Sequence, residues 1–161
     1  MSEEFWAFSL RFYRSPGVSE ACLELQDRHQ ADVNLVLFAL WAADGGSRLD
    51  RAAFAAAERV ARPWREAVTE PIRAARRALK DPPDGFDAGT AATLRQQVLA
   101  VEIEAERLQQ AAMASGFAGA PGSAPQAAAR ENLRLYEAFL GKPFGSEPVE
   151  TLLRAFAARL G

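Results

Sequence analysis

The sequence predicts an all-α fold, a compact bundle of six or seven helices with no sheet. Apolar residues recur at helical spacing in one segment after another. No stretch keeps the two-residue alternation of a strand, and no run of β-branched residues occurs. Pro, Gly, Asp and Ser fall between the segments, where helices begin and end. At 161 residues the chain is long enough for a real hydrophobic core, and residues 1–161 are expected to form a single helical domain.

The first helix is expected from an N-cap at Ser2 to Tyr13, with Phe5, Phe8 and Phe12 on one side and Trp6, Leu10 and Tyr13 beside them. Arg11 and Arg14 take the exposed side, and core packing is the expected role of the aromatic face. Ser15-Pro16-Gly17 stops this helix. The second is capped by Ser19 or begins one residue earlier, and it lines up Val18, Cys22, Leu25 and His29. Asp32 is a good N-cap for a third helix from Val33 to about Ala43, apolar all round apart from Asn34, so it belongs in the middle of the globule.

Asp50 starts a fourth helix, and a break or kink is expected near Pro63 and near Pro71. Residues 63–80 look two-faced. Trp64, Val68, Ile72, Ala75 and Leu79 form an apolar stripe, while Arg65, Thr69, Arg73, Arg76 or Arg77, and Lys80 form a basic one. Residues 62–80 hold six basic and two acidic side chains, a local net of +4; residues 81–110 hold six acidic and two basic ones, net −4, and the basic stripe is expected either to pair with those acids or to be solvated.

A long helix follows the 81–89 loop, from about Thr90 to Met113. Its main apolar stripe is Leu94, Val98, Val101, Ala105, Leu108 and Ala112, and Leu99 and Ile103 sit nearly opposite. That two-sided pattern implies full burial or a second subunit, and the helix is expected to share the centre of the bundle with helix three. Residues 114–125 read as a mobile Gly/Ala/Ser/Pro loop. Ser123 then caps a helix carrying Leu133, Tyr136 and Leu140, with Gly141 at its C-terminal turn. Pro148 opens the last helix, which carries Val149, Leu152, Leu153, Phe156 and Leu160.

Composition excludes several functions. With 19 basic and 21 acidic residues, no strong field steers the chain to nucleic acid, and no nucleic-acid partner is expected. One cysteine excludes an internal disulfide, and one histidine leaves no His-His metal motif. No metal and no cofactor are expected. His29 more naturally serves the end of its helix, and Cys22 reads as a buried hydrophobe. The start, with Glu3 and Glu4, is not a signal peptide, and the apolar run 33–43 is far short of the roughly 20 residues of a membrane span. A cytoplasmic protein is the expectation.

Several blocks carry a resemblance: Phe5-Trp6, Phe8-Ser9-Leu10, Pro16-Gly17-Val18, Leu25-Gln26-Asp27, Ala31-Asp32-Val33-Asn34-Leu35 and Trp41, then Pro63-Trp64-Arg65, Pro71-Ile72-Arg73 and Arg76-Arg77. They resemble a proteobacterial family known only as a domain of unknown function. The resemblance covers about the first half of the chain and implies no activity, cofactor or catalytic residue. The family pattern places glycine before Ala31-Asp32, where this chain has Gln30, so the turn there differs or helix two runs on.

Two functional readings follow. The leading one is a non-enzymatic binding or adaptor protein acting through a protein partner or a homodimer. The alternative is a small-ligand or anion-binding protein, or an enzyme, with a site where the polar knot Gln26, Asp27, Asp32 and Asn34 meets Arg65, Arg73, Arg76 and Arg77. A dry interior would favour the first, and a pocket lined by both groups the second. Asp27 is expected to pair with Arg73 or Arg76 and so tie the two blocks together. Replacing Asp32 by Asn is expected to cost much less than replacing it by Ala.

Overall fold

In the computed structural model, which describes residues 4–159, every regular element is helical. Ser2 and Leu160, expected as a cap and as part of the last helix's apolar face, lie outside the described residues. The first three helices are α1 (Phe5–Tyr13), α2 (Val18–His29) and α3 (Val33–Asp44). Then come α4 (Arg51–Trp64), a π-helical turn (Arg65–Thr69) and α5 (Glu70–Ala78) without a break, followed by α6 (Ala88–Ser115), α7 (Pro125–Leu140) and α8 (Ser146–Arg159). Taking α4 to α5 as one rod, the described residues form seven.

The caps explain most of the starts. Asp32, Asp50 and Asp87 each accept a backbone N–H from the first turn of α3, α4 and α6, satisfying donors that a helix start leaves open. Two starts differ from expectation. Helix α7 begins at Pro125 after Ala124, not at a Ser123 cap, because proline is preorganised for a first helical position. In α8, Ser146 precedes Pro148, which falls in the first turn.

The proline segment also differs in form. Pro63 lies inside the last turn of α4 without ending the helix. A proline ring clashes with the carbonyl four residues back. The turn just before Pro71 is widened to π geometry, and the Glu70 N–H bonds to the Arg65 carbonyl five residues back. The widening makes room for the ring, so the expected break becomes a local change of pitch.

Helix α3 is the central rod, buried nearly all round, with α7 as its most extensive neighbour. The core around it is aromatic. Phe54 stacks on Tyr136 with ring centroids 5.3 Å apart, and Phe38 meets Phe5 edge-on at 5.9 Å, joining α1, α3, α4 and α7. Asn132, wholly buried on α7, donates to the carbonyls of Ala39 and Ser47 and accepts the Leu49 N–H, closing the loop after α3. Cys22 is buried, and desolvation pushes its thiol up to about 12. His29 is half-buried edge-on to Phe144, with ring centroids 6.0 Å apart.

Helix α6 departs most from expectation. It packs on α1, α3, α4 and α5, yet most of its length is solvent-facing. Its buried residues are Ala91, Glu102, Ala105, Gln109, Gln110 and Met113. Leu94, Val101 and Leu108 are exposed on one flank, and Ile103 on the other. The two apolar stripes border a buried seam that is largely polar, because α3 and α5 present Asn34, Arg73 and Arg76 to it.

Helix α2 ends at Gln30 in a left-handed conformation, φ 57°, and the Ala31 N–H reaches back to the Leu25 carbonyl. Gln30 thus keeps the conformation that glycine favours, at a cost of about 1 kcal/mol or more for a residue with a Cβ. Gln30→Gly is expected to raise stability by about 0.5–1 kcal/mol, measured as an upward shift of the urea midpoint at unchanged slope.

Candidate functional site

Chain reversal between α2 and α3 brings the polar knot opposite the π turn and α5. Asp32 is the hinge of this meeting. Its Oδ1 accepts the Asn34 N–H at 2.8 Å, and its Oδ2 accepts Arg65 Nη1 at 2.7 Å and Gln109 Nε2 at 3.2 Å. The Asp32 N–H donates to the Tyr136 hydroxyl at 2.8 Å, and Arg65 also donates to Glu58, its Nη2 lying 2.7 Å from Oε1. Deeper in, the amides form a chain. Gln110 donates to Asn34 at 2.9 Å, and Asn34 donates to Gln109 at 2.7 Å.

A half-open cleft of about 390 Å³ lies over this network, within the size range of small-molecule sites. One wall is Gln26, Asp27, Gln30, Asp32 and Asn34 from α2 and α3. The other is Arg65 and Thr69 from the π turn with Arg73 and Arg77 from α5, and Glu106 and Gln109 of α6 complete it. The expected site residues therefore come together around one cleft, except Arg76, which lines an adjoining groove.

The ion pairs are distributed otherwise than expected. Arg73 and Arg76 do not pair with Asp27; both bind Glu102, with Arg73 Nε at 3.1 Å, and Arg73 also reaches Glu106 at 3.3 Å. Asp27 instead lies 3.8 Å from Arg77, with both side chains about 60% exposed (61% and 59%). A loose pair in that setting contributes little to stability. The residue that ties the two blocks is Asp32, through Arg65. The basic stripe of residues 65–80 is also turned: Arg65, Arg73 and Arg76 point into the fold, Thr69 is buried, and the apolar stripe is only partly covered.

Glu102 and Glu106 stand one turn apart on α6 in contrasting surroundings. Burial opposes ionisation of Glu102, but hydrogen bonds from Arg76 and Arg73 outweigh it, and its carboxyl is held below the ordinary value. At Glu106 burial prevails over the pull of Arg73, with the Glu102 charge adding to it, and the carboxyl is pushed up. Perturbed carboxyls beside a cleft are a feature of functional sites. Thr69 Oγ1, buried beside the cleft, has no protein hydrogen-bond partner. No group of three or more metal-ligating side chains comes together among the described residues. The arrangement offers donors and acceptors of both charges, suited to holding a polar molecule.

Glu106, Gln109, Glu70 and Thr69 were not expected at the cleft. The available signal was the −4 charge of residues 81–110 mirroring the +4 of 62–80. Gln109-Gln110, on a helix expected to be buried, was a second.

The model of a family described as "Protein of unknown function (DUF2390)" matches residues 4–113, the segment that holds the whole cleft. No curated protein and no solved structure matches the chain. No helix among the described residues is long and apolar enough to cross a membrane.

Two predictions follow from the network. Asp32→Asn keeps the cap but removes the charge facing Arg65, so it should cost about 1.5–3 kcal/mol, with Asp32→Ala about 1 kcal/mol worse, by urea denaturation. The Asn variant is therefore not the mild change expected from capping alone. The two glutamates should respond oppositely to pH. Glu102 has a depressed folded pKa, so its contribution is present above the ordinary glutamate value of about 4.3 and lost as pH falls through the folded value. Glu102→Gln should cost about 3–5 kcal/mol at pH 7, with the deficit shrinking below pH 4. Glu106 has a raised folded pKa, so its ionisation weakens the fold as pH climbs above the ordinary value. Stability of Glu106→Gln relative to the native chain should rise over that same climb.

Proposed function

The chain belongs to the DUF2390 family of proteins of unknown function, and on that premise we propose that it is a small-ligand-binding helical protein whose site is the cleft between the 26–34 knot and the 65–77 arginines. The observation that carries this reading is convergence. Two polar segments far apart in sequence line one half-open cavity, and the buried Thr69 hydroxyl beside it lacks a partner. Buried polar atoms are almost always hydrogen-bonded, so this orphan leaves an unmet bonding capacity next to the cavity.

The charge pattern shapes the expected ligand. Arg65 and Arg73 are each held by two carboxylates, so they position the walls rather than offering a free anion site. Arg77 and Asp27, only loosely paired, remain to meet a ligand. A polar ligand of low net charge fits better than a polyanion. The competing reading, an adaptor acting through protein contacts, draws support from Leu94, Val101 and Leu108, exposed at seven-residue spacing along α6. It ranks second because none of these three side chains lines the cleft.

Ala74 lines the cleft from an exposed position, so Ala74→Trp fills the cavity while leaving the core intact. The purified protein would be equilibrated with a bacterial metabolite extract, filtered, and its retained small molecules identified by mass spectrometry. Retention by the native chain and loss from Ala74→Trp is the expected outcome. Equal retention by both, or none by either, would overturn the reading.

A further inference from the structure

Four of the large apolar side chains exposed on the described surface gather in one place. Leu10 and Tyr13 of α1, Leu23 of α2 and Ile103 of α6 line a single half-open groove of about 430 Å³. Trp6, Leu37 and Leu99 add further apolar surface. A contiguous exposed apolar patch is a mark of a binding surface. This groove is continuous with the polar cleft, since Gln26, Asn34, Arg73, Arg77 and Glu106 belong to the walls of both.

The groove has its own charge bias. Arg14, Arg73, Arg76 and Arg77 face it against Glu102 and Glu106, and Glu102 is engaged by Arg73 and Arg76. Arg14 makes no ion pair among the described residues, and Arg77 has only its loose contact with Asp27. Two guanidinium groups are thus available beside an apolar trough. Two buried polar atoms of side chains in the groove wall, Ser9 Oγ and Gln110 Oε1, have no protein hydrogen-bond partner. Asp27, Asp32 and Glu70 in the adjoining cleft would repel a dianionic head such as a phosphate. A singly charged carboxylate meets about half that repulsion and matches the planar fork of an arginine.

We propose that the groove takes the hydrocarbon chain of a medium-chain carboxylate, with the carboxylate at Arg77 where the groove meets the polar cleft. This rests on the ligand-binding reading above and names the class of molecule that the joined cavity accommodates. The chain lies between α1, α2 and α6, against Leu10, Leu23 and Ile103. Arg77 and Arg14 supply the positive charge.

Decanoate, below its micellar concentration, would be titrated into the full-length protein by calorimetry, with octanoate and decyltrimethylammonium as comparisons. Saturable 1:1 binding of decanoate is expected, about tenfold tighter than octanoate for two more buried methylenes. Arg77→Gln should weaken it about tenfold, and Leu23→Glu, a change at an exposed position, should abolish it with the helical circular dichroism unchanged. Equal binding of the ammonium amphiphile would overturn the assignment of the head, and equal affinity of octanoate and decanoate the assignment of the chain. If light scattering shows a dimer that Leu23→Glu or Ile103→Glu splits, the groove is a subunit contact and the proposal falls. The two readings fail separately. Metabolite retention sensitive to Ala74→Trp without decanoate binding overturns only the amphiphile; absence of both overturns the ligand cleft as well.

Discussion

Asp32 holds together parts of the chain that no other single side chain joins among the described residues. One carboxylate caps α3, receives Arg65 from the π turn and receives Gln109 from α6, while its own N–H is taken by Tyr136 of α7. In a setting where its side chain is only 10% exposed, such a carboxylate is tolerated because its charge is met and its lone pairs are occupied. The aromatic core supplies most of the apolar burial, but it is non-directional. The register of α3 against the π turn and α6 is set by these directional bonds. The cleft is a consequence, since its walls are the elements that Asp32 fixes.

The same constraint accounts for the inverted look of α6. A helix that faces arginines must turn its acids and amides inward, and its leucines and valines are left on the flanks. The ion pairs of Glu102 with Arg73 and Arg76 sit in a low-dielectric seam where removing one partner is costly. Hydrophobic periodicity therefore misidentified the buried face of this helix. The apolar flank toward α1 and α2 became a wall of the open groove.

The cleft and the groove form one amphipathic concavity, polar at the α2–α3 junction and apolar toward α1. Local features concentrate there. The π turn carries Arg65 and Thr69, Gln30 holds a left-handed conformation at the rim, and Glu106 carries a carboxyl displaced toward its neutral form. Each of these departs from the lowest-energy local choice, and departures of this kind gather at functional sites.

The helices, the central place of α3, the caps at Asp32 and Asp50, and the Phe5, Phe8 and Phe12 face were all legible in the sequence, because each depends on local spacing or on one side chain beside its own backbone. The meeting of the 26–34 knot with the arginines was the second of two readings, from a polar cluster between apolar runs and an arginine-rich stripe. The pairing within it was not. Which carboxylate meets which arginine depends on the rotation of α5 and α6 about their axes, a matter of packing against α3 and α4. Tertiary structure alone gave Arg73 and Arg76 to Glu102, left Asp27 with Arg77 at the surface, and turned the polar face of α6 inward. Sequence periodicity reports that a helix has faces, but the charges on neighbouring helices decide which of them is buried.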